Sequence, residues 1–444
     1  MSVNEVNEMA EQVLDAARKA VPGAEIEVKA DRLSVGLTRF ANSYIHQNVA
    51  EDTTWVSLRV HRDGRTIALS TTTGDHAAFV ERAAALAALG PVDAGWPGLS
   101  PAQPLEREVS HDEATAAATA QDRASLVRDF VNAVGGLEAA GYCRTVAWAG
   151  AYRNSAGQAL DAATASADMD GIARSDGVDS VARRLSARLS DLDGAALGAR
   201  AASGVHSSAS PHELPPGRYE VIFEPEAVSD LLNNIITYGF NGKVFNEGRS
   251  FAALGMPQFD PAISIHDDPY ADDIGAKPFD NEGTSRGRLT LVDAGITTAI
   301  AHDRRTGREA GALSTGHSIP GEHWGPQATN AGLTPGSATL ESMIASMERG
   351  ILVRDLWYTR VLDPRSLVVT GLTRNGAWLV ENGEIVKPVR NFRFTQSYPN
   401  ALAPGAVLGV GSVPVPQASR RELNTLSCPA LHLASWNFTG GASG

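Results

Sequence analysis

The stretch YEVIFEPEAVSDLLNNIITYG, residues 219–239, contains the two kinds of element that decide the predicted fold. Its first part, YEVIFEP, is an apolar run with β-branched and aromatic residues, which is typical of a strand. From residue 225 to about 240, apolar residues recur at the spacing of one helix face. The sequence therefore predicts a strand that runs directly into an amphipathic helix.

Residues 204–219, GVHSSASPHELPPGRY, form the clearest domain boundary, because they combine small polar residues with three prolines. A chain of 444 residues also exceeds what one typical core holds. We therefore expect an N-terminal domain at 1–210 and a C-terminal domain at 211–444. The pair His212-Glu213 begins like a zinc-binding HExxH motif, but the Leu-Pro-Pro-Gly that follows is incompatible with the helix which that motif requires.

The N-terminal domain is predicted to consist of helices and antiparallel meanders. Helical spacing at 3–20 gives way to period-two alternation, and a second helix is expected at about 76–89. After an extended, proline-containing connection, a helix at about 121–139 again precedes alternating strands and a short helix at 197–203. The order helix, meander, helix thus occurs twice, which is consistent with an internal duplication.

The C-terminal domain is predicted to be rich in β-strands, with the helix at 225–240 at its centre. Beyond this helix the chain mostly alternates strand patterns with Gly- and Pro-containing turns. Two Asn-Gly pairs, Asn375-Gly376 and Asn382-Gly383, have the composition of tight hairpin turns. The predicted fold class is therefore α+β.

The composition argues against several classes of protein. A net charge of −13 disfavours direct nucleic-acid binding, because such binding draws on clustered Lys and Arg. No apolar run approaches the ~20 residues of a membrane span, and the first residues lack the features of a secretory signal. The only two cysteines, Cys143 and Cys428, fit a reducing compartment, and both are expected to be buried. The spacing of Cys428 and His432 is interpreted as strand alternation rather than a zinc site. We expect a cytoplasmic protein without membrane contact.

Six blocks of sequence, taken together and in order, identify a resemblance to a known family. They are RFANSYIHQN at 39–48, NSAGQ at 154–158, PPGRYEVIFEPEAVSDLL at 215–232, FDNEGTSRGRLTLVDAGI at 279–296, LVENGEIVKPVRNFRF at 379–394 and SWNFTGG at 435–441. From about residue 36 to its end, the chain resembles the TldD/PmbA family, once called modulators of DNA gyrase. The resemblance implies that TldD-type subunits are zinc peptidases with an HExxxH helix and a downstream cysteine ligand. PmbA-type subunits, also called TldE, share the fold, lack the ligands and pair with a TldD partner to degrade or trim small unfolded peptides.

The resemblance places the TldD metal helix at 225–240, where Asn233, Asn234 and Tyr238 occupy the three motif positions. A carboxamide is a poor zinc ligand, Asn cannot accept a proton near neutral pH, and a phenol is a weak substitute for imidazole. The segment that corresponds to the TldD cysteine, GVGSVPVPQAS at 409–419, contains no cysteine. We therefore expect no catalytic residue, metal site or cofactor in this chain, and zinc in the partner subunit.

A second group of candidate residues lies in STGHSIPGEHWGPQATN at 314–330. His317, Glu322 and His323 are residue types that could bind zinc or act as acid and base. The Ile-Pro-Gly between them rules out one helical face, so we interpret the segment as a loop near a peptide cleft, with Trp324 as a candidate apolar wall.

The resemblance favours a TldE-like subunit that forms a heterodimer with a TldD-like zinc peptidase, binds unfolded peptides and helps to enclose their cleft. Two alternatives remain open from the sequence. One is a self-sufficient hydrolase that uses His317, Glu322 and His323. The other is a non-enzymatic regulator of DNA gyrase, suggested by the family's earlier name.

Overall fold

The part of the chain that the computed structural model describes comprises residues 3–72, 74–109, 111–175, 177–206, 211–271, 274–321, 323–419 and 424–441. Within these ranges, no helix is both long enough and apolar enough to cross a membrane. The predicted domain boundary, between residues 210 and 211, falls at the edge of the segment 207–210, which lies outside the described residues.

The N-terminal half forms one antiparallel sheet with helices packed against it. Its elements are α1 (Val3–Ala20), β1 (Glu25–Ala41), β2 (Tyr44–Arg62), β3 (Arg65–Thr71), α2 (His76–Ala87), α3 (Glu113–Ala116), α4 (Ala120–Ala133), β4 (Glu138–Asn154), β5 (Ala159–Ser175), β6 (Val178–Ser186), a 3-10 turn (Leu189–Asp191) and α5 (Gly194–His206). The six strands lie in the order β3-β2-β1-β4-β5-β6.

The predicted recurrence of helix, meander and helix is confirmed, and its two copies meet where β1 pairs with β4. Local turn chemistry shapes the hairpins: Asn42 and Ser43 both adopt left-handed φ angles, of 50° and 65°, which suit the twist of a two-residue hairpin loop. Helix α1 buries one apolar face at three- and four-residue spacing, and Phe130 of α4 packs on Phe40 of β1 with ring centroids 5.5 Å apart. The helices therefore pack across the seam between the two meanders, since Phe40 of the first meander shares a core with α4 of the second.

The C-terminal half contains most of the remaining strands and one long helix. Its elements are β7 (Gly217–Phe223), α6 (Pro225–Gly239), α7 (Gly242–Asn246), β8 (Ile265–Asp267), β9 (Leu289–Asp293), β10 (Ile296–Thr297), α8 (Arg304–Ala310), β11 (Asn330–Leu333), α9 (Leu340–Ser346), β12 (Arg349–Asp363), β13 (Val368–Glu381), β14 (Glu384–Pro388), β15 (Phe392–Ser397), α10 (Tyr398–Ala401), β16 (Val407–Val410), β17 (Val415–Ala418), β18 (Thr425–Cys428) and β19 (Leu431–Gly441).

Five of these strands close into a barrel around the largest apolar core. The order β12-β7-β19-β15-β13 returns to its start, because β13 also pairs with β12. A second sheet has the order β10-β9-β8-β11-β18-β17. Helix α6 lies between the two, in contact with β7 and β12 of the barrel and with β11, β17 and β18 of the second sheet. The predicted α+β fold, with a helix at the centre of a β-rich C-terminal half, is confirmed.

The two Asn-Gly pairs behave differently. Asn382-Gly383 forms the predicted hairpin turn between β13 and β14, with φ angles of 51° and 80°. The predicted hairpin at Asn375-Gly376 is wrong, because both residues lie within β13. There they form a bulge opposite β12, and Asn375 donates a hydrogen bond of 2.9 Å from Nδ2 to Asp355 Oδ2. Long-range pairing with β12 thus overrides the local turn signal.

The start of α6 is fixed by buried ion pairs that join the two halves. Glu224, the residue before the helix, accepts hydrogen bonds from Arg354 of β12 and Arg200 of α5, each at 2.8 Å. One residue further along β12, Asp355 binds Arg183 of β6 through two bonds of 3.0 Å. Although burial alone would raise it, the pKa of Glu224 is lowered by the two guanidinium groups. The network therefore holds α6 in a set position relative to both halves.

A second junction, between β2 and the segment before β9, contains a buried acid with an unusual pKa. Glu282 accepts a hydrogen bond of 2.9 Å from the backbone N–H of Arg304, and its other oxygen lies 3.7 Å from Arg59 Nη1. Burial, together with the neighbouring Asp280 carboxylate, raises the pKa of Glu282 to about 8. Glu282 is therefore largely protonated in the folded protein at neutral pH, whereas an unfolded chain would ionise it.

This difference predicts a pH-dependent stability that Glu282→Gln should remove. At pH values between the pKa of Glu282 in the unfolded chain and its folded value of about 8, the folded state holds a proton that the unfolded state has lost. The stability contributed by protonated Glu282 is therefore lost as pH rises through about 8. From pH 6 to pH 9, the wild type should lose about 2–3 kcal/mol relative to the Gln variant. Urea unfolding followed by tryptophan fluorescence across this pH range measures the effect.

Glu309→Gln is the matched control, because Glu309 is exposed on the wall of a cavity that Glu282 also lines. Its removal should leave the slope of stability against pH unchanged. Equal slopes for the wild type and Glu282→Gln would show that Glu282 does not hold its proton in the folded state.

Candidate functional site

One face of α6 opens onto a cavity of about 240 Å³, and all three predicted motif positions lie on its wall. Asn234 and Tyr238, four residues apart, share one side of the helix, and Asn233 reaches the same cavity. The remaining described lining residues come from three elements and from the region of β17 and β18: Ser229, Asp230 and Thr237 of α6; Trp357, Tyr358, Thr359 and Arg360 of β12; Arg183 of β6; and Ala418, Ser419 and Leu426 at β17 and β18.

Hydrogen bonds tie the Asn233 end of the cavity to the segment in which the resemblance would place a cysteine. Asn233 Oδ1 accepts from Asn424 Nδ2 at 2.8 Å. Asn424 in turn donates its backbone N–H to Ser419 Oγ at 3.2 Å and accepts from the Ser419 N–H at 2.7 Å. Ser419 is the last residue of the segment 409–419, in which the resemblance would place a cysteine. It therefore lines the same cavity as Asn233 and offers a hydroxyl there.

Of the other two motif positions, Asn234 is held within α6 itself and Tyr238 packs, partly buried, against the apolar core. Asn234 is buried, and its Nδ2 donates to the backbone oxygen and the Oδ1 of Asp230, at 2.9 and 3.2 Å. The second carboxylate oxygen of Asp230 accepts from Thr359 Oγ1 at 2.9 Å. The only carboxylate among the described residues of the cavity wall therefore accepts hydrogen bonds from neutral donors of the protein.

This donor set does not fit a zinc ion. Zinc in proteins is bound by thiolate, imidazole and carboxylate groups, whereas the wall here offers carboxamides, hydroxyls, a phenol and one engaged carboxylate. Across the described residues as a whole, no three His, Cys, Asp or Glu side chains form a group that could hold a metal. No catalytic step can be derived through a metal at this cavity.

The opposite wall carries an irregularity that the sequence analysis missed. The pairing of β12 with β13 shifts between Trp357 and Arg360, and Tyr358 adopts a left-handed φ of 53°. This conformation costs an aromatic residue about 1–3 kcal/mol. The bulge leaves both Trp357 and Tyr358 exposed, by 37% and 63%, at the edge of the cavity. The sequence signal that could have revealed this irregularity is the adjacent pair Trp357-Tyr358, because a regular strand would turn one of two neighbouring aromatic side chains inward.

The loop candidate His317 lies in a buried polar network. Its Nε2 is 3.1 Å from Asp267 Oδ2 and its Nδ1 is 2.9 Å from Thr315 Oγ1, so both ring nitrogens are engaged. Asp267 also accepts from Arg286 Nη2 at 2.6 Å. Although burial alone would raise it, the pKa of Asp267 is held far below its usual range by Arg286 and His317. His317 is only 2% exposed and lines neither of the cavities described here.

The other loop candidates lie apart from His317. His323 lines a second cavity, of about 390 Å³, together with Glu282 and Arg59. Trp324 is 62% exposed, with its ring centroid 5.0 Å from that of His323. Glu322 lies outside the described residues. The three predicted acid-base residues are thus not gathered at one described site.

Comparison with known proteins identifies the fold as one already seen in solved structures. TldE from Thermococcus kodakarensis matches with a TM-score of 0.86 and 18% identity, covering 97% of this chain and 99% of that chain. A proposed modulator of a DNA gyrase from Thermotoga maritima matches with a TM-score of 0.83 and 19% identity, over the same shares of the two chains. At these identities the likeness concerns the fold alone.

Sequence relatives carry the name metalloprotease. A TldD homologue from Buchnera aphidicola subsp. Schizaphis graminum is 25% identical over 188 residues, which are 41% of this chain and 38% of the relative. A metalloprotease of Methanocaldococcus jannaschii is 21% identical over 182 residues, which are 40% of each chain. The chain thus matches about two fifths of the length of these relatives.

The family model of the PmbA/TldA metallopeptidase C-terminal domain matches residues 216–440, just over half of the chain. This range includes β7, α6, the barrel and the cavity that carries Asn233, Asn234 and Tyr238. The chain therefore belongs to the TldD/PmbA family.

Proposed function

We propose that this chain is a TldE-like, catalytically silent subunit of a cytoplasmic peptidase complex that degrades or trims small unfolded peptides. The zinc would be held by a TldD-like partner, and this chain would help to enclose the substrate cleft. The single observation that carries the proposal is that Asn233, Asn234 and Tyr238, at the positions that the resemblance assigns to the family's metal motif, line one cavity on α6 and offer neither good zinc ligands nor a base.

The surrounding structure supports a role for the chain as a structural half rather than a failed enzyme. Asn233 and Asn234 each make hydrogen bonds of good length, to Asn424 and Asp230, so the helix packs without a metal. Enclosure of an active site lets a peptidase select unfolded substrates, because only an extended chain can enter and bind through its main-chain groups. A second subunit of the same fold can supply that enclosure.

The two alternatives have weaker support. A hydrolase that uses His317 would need an accessible ring nitrogen, but both nitrogens are engaged in a buried network. A regulator that contacts DNA together with gyrase would need a basic surface, and the chain carries a net charge of −13.

The first prediction concerns metal content. The purified chain, prepared without chelators, should contain far less than one zinc per molecule, because the cavity on α6 offers no set of three suitable ligands. Elemental analysis by mass spectrometry makes the measurement. A stoichiometric zinc that is lost on substitution of Asn233 or Tyr238 would overturn the proposal.

The second prediction concerns an attempt to restore the site. The triple variant Asn233→His, Asn234→Glu and Tyr238→His should show little or no peptidase activity, because Ser419 still supplies only a hydroxyl and the groups that would orient the ligands are absent. Adding Ser419→Cys should raise zinc affinity by about 10-fold. Adding Ser412→Cys, on an exposed part of the same segment, should not. Efficient cleavage by the triple variant alone would mean that the site is otherwise complete.

The third prediction concerns the partner. Co-expressed with a TldD-like subunit, the chain should co-elute with it in size-exclusion chromatography, because a stable heterodimer would bury well over ~2,000 Å². The pair should cleave an unfolded peptide faster than either subunit alone. If the partner's activity is unchanged by this chain and the two elute separately, the heterodimer proposal fails.

A further inference from the structure

We propose that the cavity on α6 is itself a peptide-binding site, in which this chain holds one or two residues of an unfolded peptide between an uncharged polar floor and an exposed aromatic pair. The inference rests on the proposed function for the identity of the ligand. It goes further by assigning peptide binding to residues of this chain, at the place where the metal positions have been replaced.

The floor of the cavity offers hydrogen-bond donors suited to peptide carbonyl groups. Thr237 Oγ1 accepts from Gln327 Nε2 at 3.0 Å and Ser419 Oγ accepts from the Asn424 N–H at 3.2 Å, so each hydroxyl retains a proton to donate. Asn233 uses its Oδ1 to accept from Asn424, which leaves its two Nδ2 protons for a ligand within the described surroundings. Three donors therefore line one wall.

Of the three charged side chains on the described wall, Arg183 and Asp230 have polar partners within the protein, and Arg360 donates to the backbone oxygen of Thr359 at 2.8 Å. Arg183 is engaged by Asp170 and Asp355, at 2.5 and 3.0 Å. Asp230 accepts from Asn234 and Thr359. A ligand rich in carbonyl oxygens matches this wall better than a cation does, because the only carboxylate among the described lining residues already accepts hydrogen bonds within the protein. An extended main chain has this chemistry.

The opposite wall is suited to an apolar side chain. Trp357 and Tyr358 are adjacent in sequence and both exposed, because the strained residue Tyr358 interrupts the strand. The guanidinium of Arg360 lies 4.2 Å from the Tyr358 ring centroid and that of Arg374 lies 5.6 Å from the Trp357 ring, so each aromatic has a cation beside it. Exposed, supported aromatic side chains are typical anchors for a bound partner.

The size of the cavity limits what can occupy it. Its volume of about 240 Å³ is below the ~300–1,000 Å³ of pockets that enclose a whole small molecule. The cavity is also open at the aromatic edge formed by Trp357 and Tyr358. The ligand is therefore a short part of a longer chain that continues across the surface.

The test measures binding of a fluorescein-labelled, unstructured peptide containing Leu and Phe to the full chain by fluorescence anisotropy. Tyr358→Asn removes the ring while keeping a residue that tolerates a left-handed φ, so the fold should be preserved. Its affinity for the peptide should fall by about 5-fold. Asn233→Asp keeps an oxygen that accepts from Asn424 Nδ2, but it replaces the Nδ2 donor of Asn233 by a second acceptor oxygen. We expect the affinity for the peptide to fall by a similar factor.

Tyr44→Asn is the matched control, because Tyr44 is 60% exposed on the β1–β2 hairpin, far along the sequence from the cavity. It should bind the peptide as the wild type does. Absence of saturable binding to the wild type, or equal affinities for the wild type, Tyr358→Asn and Asn233→Asp, would overturn the inference.

Co-elution with a TldD-like partner, measured on the same variants, separates this inference from the proposed function. If the wild type binds peptide through Tyr358 but forms no heterodimer, the peptide site stands and the subunit proposal fails. If the heterodimer forms and Tyr358→Asn changes only peptide affinity, both stand. If Tyr358→Asn abolishes co-elution, the cavity holds a segment of the partner, and the peptide inference fails.

Discussion

The buried ion pairs around Glu224 are the constraint on which the rest of the structure depends. Glu224 stands between β7 and α6 and is bound by Arg354 of the barrel and Arg200 of the N-terminal half. A buried carboxylate that lost one of these partners would be strongly destabilising, because its desolvation would no longer be compensated. The pairs therefore fix where α6 begins, how it faces β12, and how the N-terminal sheet sits against both.

Because α6 is held in this way, the cavity beside it does not need a metal to keep its shape. In many metal sites the ion joins elements that would otherwise separate. Here hydrogen bonds join the elements: Asn424 donates to Asn233 of α6, and Thr359 of β12 donates to Asp230 of α6. The carboxamides and hydroxyls of this wall form an ordered surface that offers hydrogen-bond donors to carbonyl oxygens. That donor chemistry is the basis on which we assign the cavity to peptide binding.

The second junction, between β2 and the segment before β9, differs from the first in that its buried acid is protonated. Glu282 and Asp280 lie together in a confined space near Arg59, and Glu282 keeps its proton at neutral pH. The contact between the N-terminal sheet and the segment before β9 is thus partly a contact between an acid in its neutral form and a guanidinium. The stability of this junction therefore depends on whether Glu282 is protonated. The junction at Glu224, by contrast, remains an ion pair throughout the neutral pH range, because the pKa of Glu224 is lowered.

The sequence by itself determined the elements whose signals are local. The helix at the centre of the C-terminal half, the repeated helix–meander–helix order and the turn at Asn382-Gly383 follow from periodicity and turn chemistry over a few residues. That Asn234 and Tyr238 share one side of α6 also follows, because residues four apart on a helix are neighbours.

Tertiary structure alone decided the features that depend on distant pairing. Closure of the barrel by β12 and β13 placed Asn375-Gly376 in a bulge and exposed Trp357 and Tyr358 beside α6. Burial of His317 required Asp267, 50 residues away, so no local pattern distinguished a structural histidine from a reactive one. The physical reason is the same in each case. A side chain's partners and exposure are set by which strands pair, and that choice depends on the total burial of the whole chain rather than on any short segment.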